Sequence, residues 1–97
     1  MTPLNSIERI FSSPGRVRVL VDLLDKSEVN ITQLSRLGLN YASVAKHIRA
    51  LKAEGLLYEK RFGRIRIVCV NEDDARIPLL RRFVREWRRL EQGLARA

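Results

Sequence analysis

Only one cysteine, Cys69, and one histidine, His47, occur among the 97 residues. One thiol cannot close a disulfide within the chain, and a thiol with a single imidazole falls short of the ligand set of a transition-metal site. Neither a metal nor another cofactor is expected. Apolar runs are short as well: the longest is Ile67-Val68-Cys69-Val70, against the roughly 20 residues a membrane-spanning helix needs. With no secretory signal pattern, the expected setting is a reducing cytoplasm without a membrane partner. A Gly-rich phosphate loop, a catalytic carboxylate pair and a nucleophile with an oriented base are all missing. Ser43 and His47 share one side of a predicted helix but have no orienting acid, so no catalytic residue is assigned and enzyme activity is not expected.

Acidic residues are also in deficit. Eleven Asp/Glu against nineteen Lys/Arg leave a formal net charge of +8 and a pI near 10.8, which points to a polyanionic partner. The excess is uneven: residues 41–70 carry seven basic and two acidic side chains, and therefore +5 of the +8. Fifteen of the nineteen cations are Arg, which suits bidentate contacts to phosphate or guanine but also fits a plain compositional bias. With 45% hydrophobic residues, a chain of this length can build one modest core and no second domain.

Helix signals dominate. Asn5 or Ser6 can cap a short turn carrying Ile7, Ile10 and Phe11, and Ser13 before Pro14 opens a helix to about Asp25. Val17, Leu20, Val21 and Leu24 line one side of it, while Val19 and Leu23 add a second strip that calls for cover of its own. After a polar stretch from Lys26 to Asn30, Ile31 to Leu37 reads as a short helix closed by Gly38. Asn40 caps a third helix, Tyr41 to Glu54, with Val44, Ile48 and Leu51 inward and Gly55 beyond it. Two helices joined by a short Gly-containing turn form a helix-turn-helix. Leu56 to Arg61 and Arg64 to Val70 then read as a two-stranded β-hairpin joined through Phe62-Gly63.

At about 100° per residue, the third helix turns Ala42, Lys46, Arg49 and Ala53 away from the core, with Ser43 and Ala50 beside them. Two long donors among small side chains allow close approach to the floor of a DNA major groove, with Asn40 and Tyr41 at the helix N-terminus. An ordinary solvated face is the alternative for the cations. His47, on the flank of the core stripe, is a packing or a phosphate-contacting residue, and Tyr41 a packing residue or a base or phosphate contact. In the hairpin, Lys60, Arg61, Arg64 and Arg66 suit a wing on the adjacent minor groove or backbone, or else the charged flank of an exposed sheet.

The segment from Ile31-Thr32-Gln33-Leu34-Ser35 through Asn40 to Leu57, above all Leu51-Lys52-Ala53-Glu54-Gly55-Leu56-Leu57 before a basic hairpin, resembles the core of ArsR-like and MarR-like winged-helix transcription regulators. Ile7 to Arg16 is similar to small archaeal members of that group, so the likeness covers roughly residues 5 to 71. It implies transcriptional control by a homodimer on duplex DNA, with Ser43, Lys46 and His47 near DNA and the wing arginines on its backbone. No effector is implied. Metal-sensing relatives carry Cys or His clusters, and the lone Cys69 departs from that pattern.

Pro78 opens a last helix in which Leu80, Phe83, Trp87, Leu90 and Leu94 fall at alternating spacings of 3 and 4, with Val84 widening the stripe. These six residues are the expected dimer interface. The fold expected is thus α+β and mostly helical: a winged helix-turn-helix with a two-stranded wing and a long C-terminal dimerisation helix. Residues 1–75 would form the DNA-binding part with its N-terminal extension and residues 76–97 the dimerisation helix, in one structural domain. The function expected is a cytoplasmic, nucleoid-associated regulator. A protein-interaction subunit of a transcription or replication assembly and a sequence-indifferent architectural DNA-binding protein are the alternatives.

Overall fold

The computed structural model describes residues 5–96. Local caps set most element boundaries. The Asn5 carboxamide oxygen accepts from the Glu8 amide at 3.0 Å and opens α1, Ser6–Ile10. The Ser13 hydroxyl accepts from the Arg16 amide at 3.2 Å, and with Pro14 in the first turn it opens α2, Pro14–Lys26. The Val19 and Leu23 strip of α2 is buried, and of the other strip Leu20 and Leu24 are buried while Val17 and Val21 are only half-buried. The Tyr41–Ala53 helix, α3, starts at Asn40, whose side chain accepts from the Ser43 amide at 2.8 Å.

Three features depart from the sequence expectation. First, the polar stretch contains a strand, β1, Glu28–Asn30, which pairs antiparallel with the Ile65–Val70 strand. That second strand, β3, also pairs with β2, Leu57–Phe62, so the hairpin belongs to a three-stranded sheet of order β1-β3-β2. Only Val29 of β1 is buried; the ladder to β3, not hydrophobic alternation, holds this strand. Second, Ile31–Leu37 is a 3₁₀ helix, fastened by a capping box in which Asn30 accepts from the Thr32 amide and Gln33 accepts from the Asn30 amide. Gly38 ends it at φ 77°, a conformation that favours glycine. Third, the last helix, α4, spans Arg76–Arg96 and so begins ahead of Pro78. The Asp74 carboxylate accepts from the Arg76 amide at 2.9 Å, and Pro78, near the start of the helix, takes a position whose amide has no helical acceptor.

The core lies between α2, α3 and the sheet, with Leu20, Leu23, Leu34, Ile48, Leu51, Val68 and Ile77 nearly inaccessible to solvent. Ile77 carries the first turn of α4 into it, and Leu80 and Val84 continue along its edge. Arg81 fastens α4 to α2: its Nε donates to the Leu24 carbonyl at 2.9 Å, and its other nitrogens donate to Ser27 and Glu72. Farther on, Arg88 pairs with Asp25 at 2.8 Å.

Candidate nucleic-acid interface

The helix-turn-helix projects α3 so that its two sides differ sharply. Val44, His47, Ile48 and Leu51 are buried, whereas Ala42, Lys46, Arg49 and Ala53 are exposed and Ser43 and Ala50 are intermediate. Asn40 spends its side-chain oxygen on the helix cap, and the exposed amide ends of α3 add the positive pole of the helix dipole beside it. Lys46 and Arg49 have no side-chain partner among the described residues.

Of the two roles expected for His47, the structure displays packing. The ring is only 9% exposed, and its Nδ1 accepts from Arg16 Nε at 3.4 Å. The same guanidinium donates through Nη1 to the Arg9 carbonyl at 2.6 Å and the Ser12 hydroxyl at 2.9 Å. Arg16 thereby joins the end of α1, the start of α2 and the middle of α3. Burial lowers the His47 pKa, and the Arg16 and Lys46 charges lower it further, so the neutral ring is favoured. Arg9 in turn pairs with Glu54 at the C-terminal end of α3.

In the wing, the register sorts the four cations. Arg61 opposes Arg66 and Glu59 opposes Val68, so these side chains share the sheet face on which Val68 enters the core. Lys60 opposes Ile67 on the other face, where it lies 3.5 Å from Glu28, turned away from α3. Arg64 sits in the turn with Gly63. Arg61 and Arg64 are exposed and have no partner among the described residues. Arg66 is committed inside the chain: its Nε and Nη2 donate to Glu59 at 3.2 and 2.8 Å, and Nη1 donates to the Tyr41 hydroxyl at 3.0 Å. Phe62, opposite Ile65 at the tip, is exposed.

The six residues expected at a dimer interface divide. Leu80 and Val84 pack on the core of their own chain, while Phe83, Trp87, Leu90 and Leu94 are exposed. The Phe83 and Trp87 rings lie 5.9 Å apart at the edge of an apolar groove between α2 and α4, whose other wall includes Phe11, Val17 and Val21. Cys69 is buried beside Glu28, with Sγ 3.6 Å from the carboxylate, and burial pushes its thiol pKa up.

No family model and no curated protein matches the chain. Solved structures do. A transcriptional regulator homologue from Pyrococcus horikoshii OT3 is 25% identical, with a TM-score of 0.63 over 88% of this chain and 87% of that one. The fold is a winged helix, shared with solved structures of transcriptional regulators. A homodimeric winged helix-turn-helix DNA-binding domain from Mycobacterium bovis matches at a TM-score of 0.62 and 20% identity, over 88% of this chain and 87% of that one. An ArsR-family transcriptional regulator matches at 0.59 and 22% identity, over 96% of this chain and 99% of that one. Within this winged helix, sequence reasoning missed Glu59 and Arg16, because an acid in a basic hairpin and a cation near a helix start carry no pattern of their own.

Proposed function

We propose that the chain is a DNA-binding transcriptional regulator that acts as a homodimer, with α3 in the major groove and the wing tip on the adjacent minor groove or backbone. One observation carries this most: cations without an intramolecular partner among the described residues, Lys46 and Arg49 on α3 and Arg61 and Arg64 on the wing, occupy the elements that a winged helix presents to a duplex. Elsewhere Arg76 is tied to Asp74, Arg81 to Glu72 and Arg88 to Asp25, while Arg18, Arg36, Arg82 and Arg85 lack a carboxylate partner among the described residues but lie off α3 and the wing. Ala42, Ser43 and Ala50 keep the reading face low. Asn40 and Tyr41 stand at its leading end, and His47 supports it from behind. Arg66 acts through its neighbours, and Lys60 contributes charge from the far face of the wing.

The homodimer rests on α4. Exposed Phe83, Trp87, Leu90 and Leu94 continue the stripe begun by Leu80 and Val84, and a second copy would cover an apolar surface rimmed by Arg88 and Glu91. A two-fold pair would set two α3 helices about 34 Å apart, on successive major-groove turns. Of the described residues, 5–75 then form the DNA-binding part and 76–96 the dimerisation helix, residues 1–4 and 97 lying outside them, and the protein works in the cytoplasm on the nucleoid as a binder, not a catalyst. The test is selection from random duplexes followed by titration. Enrichment of a two-fold site, bound more weakly as salt is added, is expected; binding without sequence preference and without salt dependence would refute the proposal.

A further inference from the structure

Glu59 is an acid in the part of the molecule whose positive charge is greatest. Its side chain is 10% exposed and takes Arg66 at 2.8 Å and Lys52 Nζ at 3.6 Å. The hydrogen bonds from Arg66, with Lys52 adding to them, hold its carboxyl below the usual range, so it is an anion when DNA is bound. Its charge alone repels phosphate. It also uses up two nearby cations that would otherwise be free to meet the backbone. Both effects weaken DNA binding, so a carboxylate here needs another role.

The partners identify that role. Arg66 reaches past Glu59 to the Tyr41 hydroxyl at 3.0 Å, and Tyr41 is the first residue of α3. Lys52 lies near the other end of the same helix. Eleven residues separate the two, about three helical turns, which returns them to within about 20° on one side of α3. One carboxylate on β2 therefore anchors both ends of α3, one through Arg66 and one directly.

Building on the proposed DNA reading, we infer that Glu59 is a positioning residue for sequence discrimination, fixing the angle between α3 and the wing through the Tyr41–Arg66–Glu59–Lys52 chain. With that angle fixed, α3 can reach base edges while the wing tip sits on the backbone. With it loose, phosphate contacts persist and base contacts lose register. Glu59 thus raises the ratio of selected-site to random-site binding although its charge opposes both.

The experiment uses the full chain and a duplex obtained by selection with the wild type. A wild-type chain with no preferred duplex refutes the DNA reading itself, before any variant is compared. Given a preferred duplex, Glu59→Gln removes a negative charge, so a charge effect alone predicts tighter binding to selected and random duplexes alike. Positioning predicts about a tenfold loss on the selected duplex, with random-duplex binding unchanged or tighter. Parallel gains overturn the inference, and so do parallel losses in a variant that folds as the wild type does. Tyr41→Phe removes no charge. It should lower the ratio in the wild type and add nothing in the Glu59→Gln background; additive losses would make Tyr41 an independent DNA contact and overturn the inference. A second cycle, Tyr41→Phe with Arg66→Lys, conserves charge and must show the same non-additivity, so the test survives a Glu59→Gln chain that fails to fold.

Discussion

Salt dependence gives the proposed interface a number. Each phosphate neutralised by the protein adds about 0.9 to the slope of log K against log salt on duplex DNA. Lys46, Arg49, Arg61 and Arg64 supply four such charges per chain and eight per dimer, for a slope of about −7 and a loss of about 10⁴-fold between about 50 and 200 mM salt. The double variant Arg61→Ala with Arg64→Ala removes the wing-tip half of those charges, and the slope should fall to about −3.6. A matched variant, Arg18→Ala with Arg82→Ala, lowers the net charge equally at exposed positions off α3 and the wing, and should stay near the wild-type slope. Fluorescence anisotropy of a labelled duplex, titrated at several salt concentrations, measures all three. Equal slope changes in the two double variants would reduce the wing to a contributor of net charge and refute the assignment of its tip to the backbone.

Other expectations follow from the same geometry. Leu90→Glu places a charge in the exposed stripe of α4 and should halve the mass measured by light scattering; an unchanged dimer would exclude this face. A Cβ on Gly15 would lie 2.9 Å from His47 Nε2, so Gly15→Ala should lose about 1 kcal/mol in urea unfolding, overpacking of about 2 kcal/mol exceeding the helix-propensity gain of about 1 kcal/mol. In a His47→Ala background the same change should stabilise. The folded-state pKa of His47 is lowered, so its contribution is present above its ordinary 6.5 and lost as pH falls through the folded value. Melting temperatures should accordingly drop below about pH 6.5, less steeply in His47→Gln. Asp74, held at about 2 by Arg76 against an ordinary 3.8, titrates in a separate, more acidic window.

Where residues act through their neighbours in sequence, the fold was legible. Asn5, Ser13, Asn40 and Gly38 each work within a few positions, and all four mark real boundaries. The buried stripe of α3 was equally open to a helical wheel, which put His47 on its flank as a packing or phosphate-contacting residue; its hydrogen bond from Arg16 on another helix was not legible. Strand β1 escaped because three residues with one buried side chain carry no period; its strand character comes from β3, some forty residues away. The wing cations were visible as a cluster, but not their partition into two faces and into paired and unpaired groups. Register with β3 and the carboxylates of Glu28 and Glu59 decide that. Likewise, the apolar spacing of α4 was clear while the split between Leu80 and Val84 inward and Phe83 and Trp87 outward awaited the placement of α2.

The central position of β3 constrains how such a protein can change its target. This strand is bonded on one side to the segment that leads into the helix-turn-helix and on the other to the outgoing arm of the wing: Ile67 opposes both Asn30 and Lys60. A residue inserted within β3 would turn every later side chain to the opposite face and disturb both ladders at once. The Gly63-Arg64 tip bears no such double duty. Wing length can therefore vary at the tip without altering how the helices are seated, which leaves the reach along the duplex adjustable while the frame holding α3 stays the same.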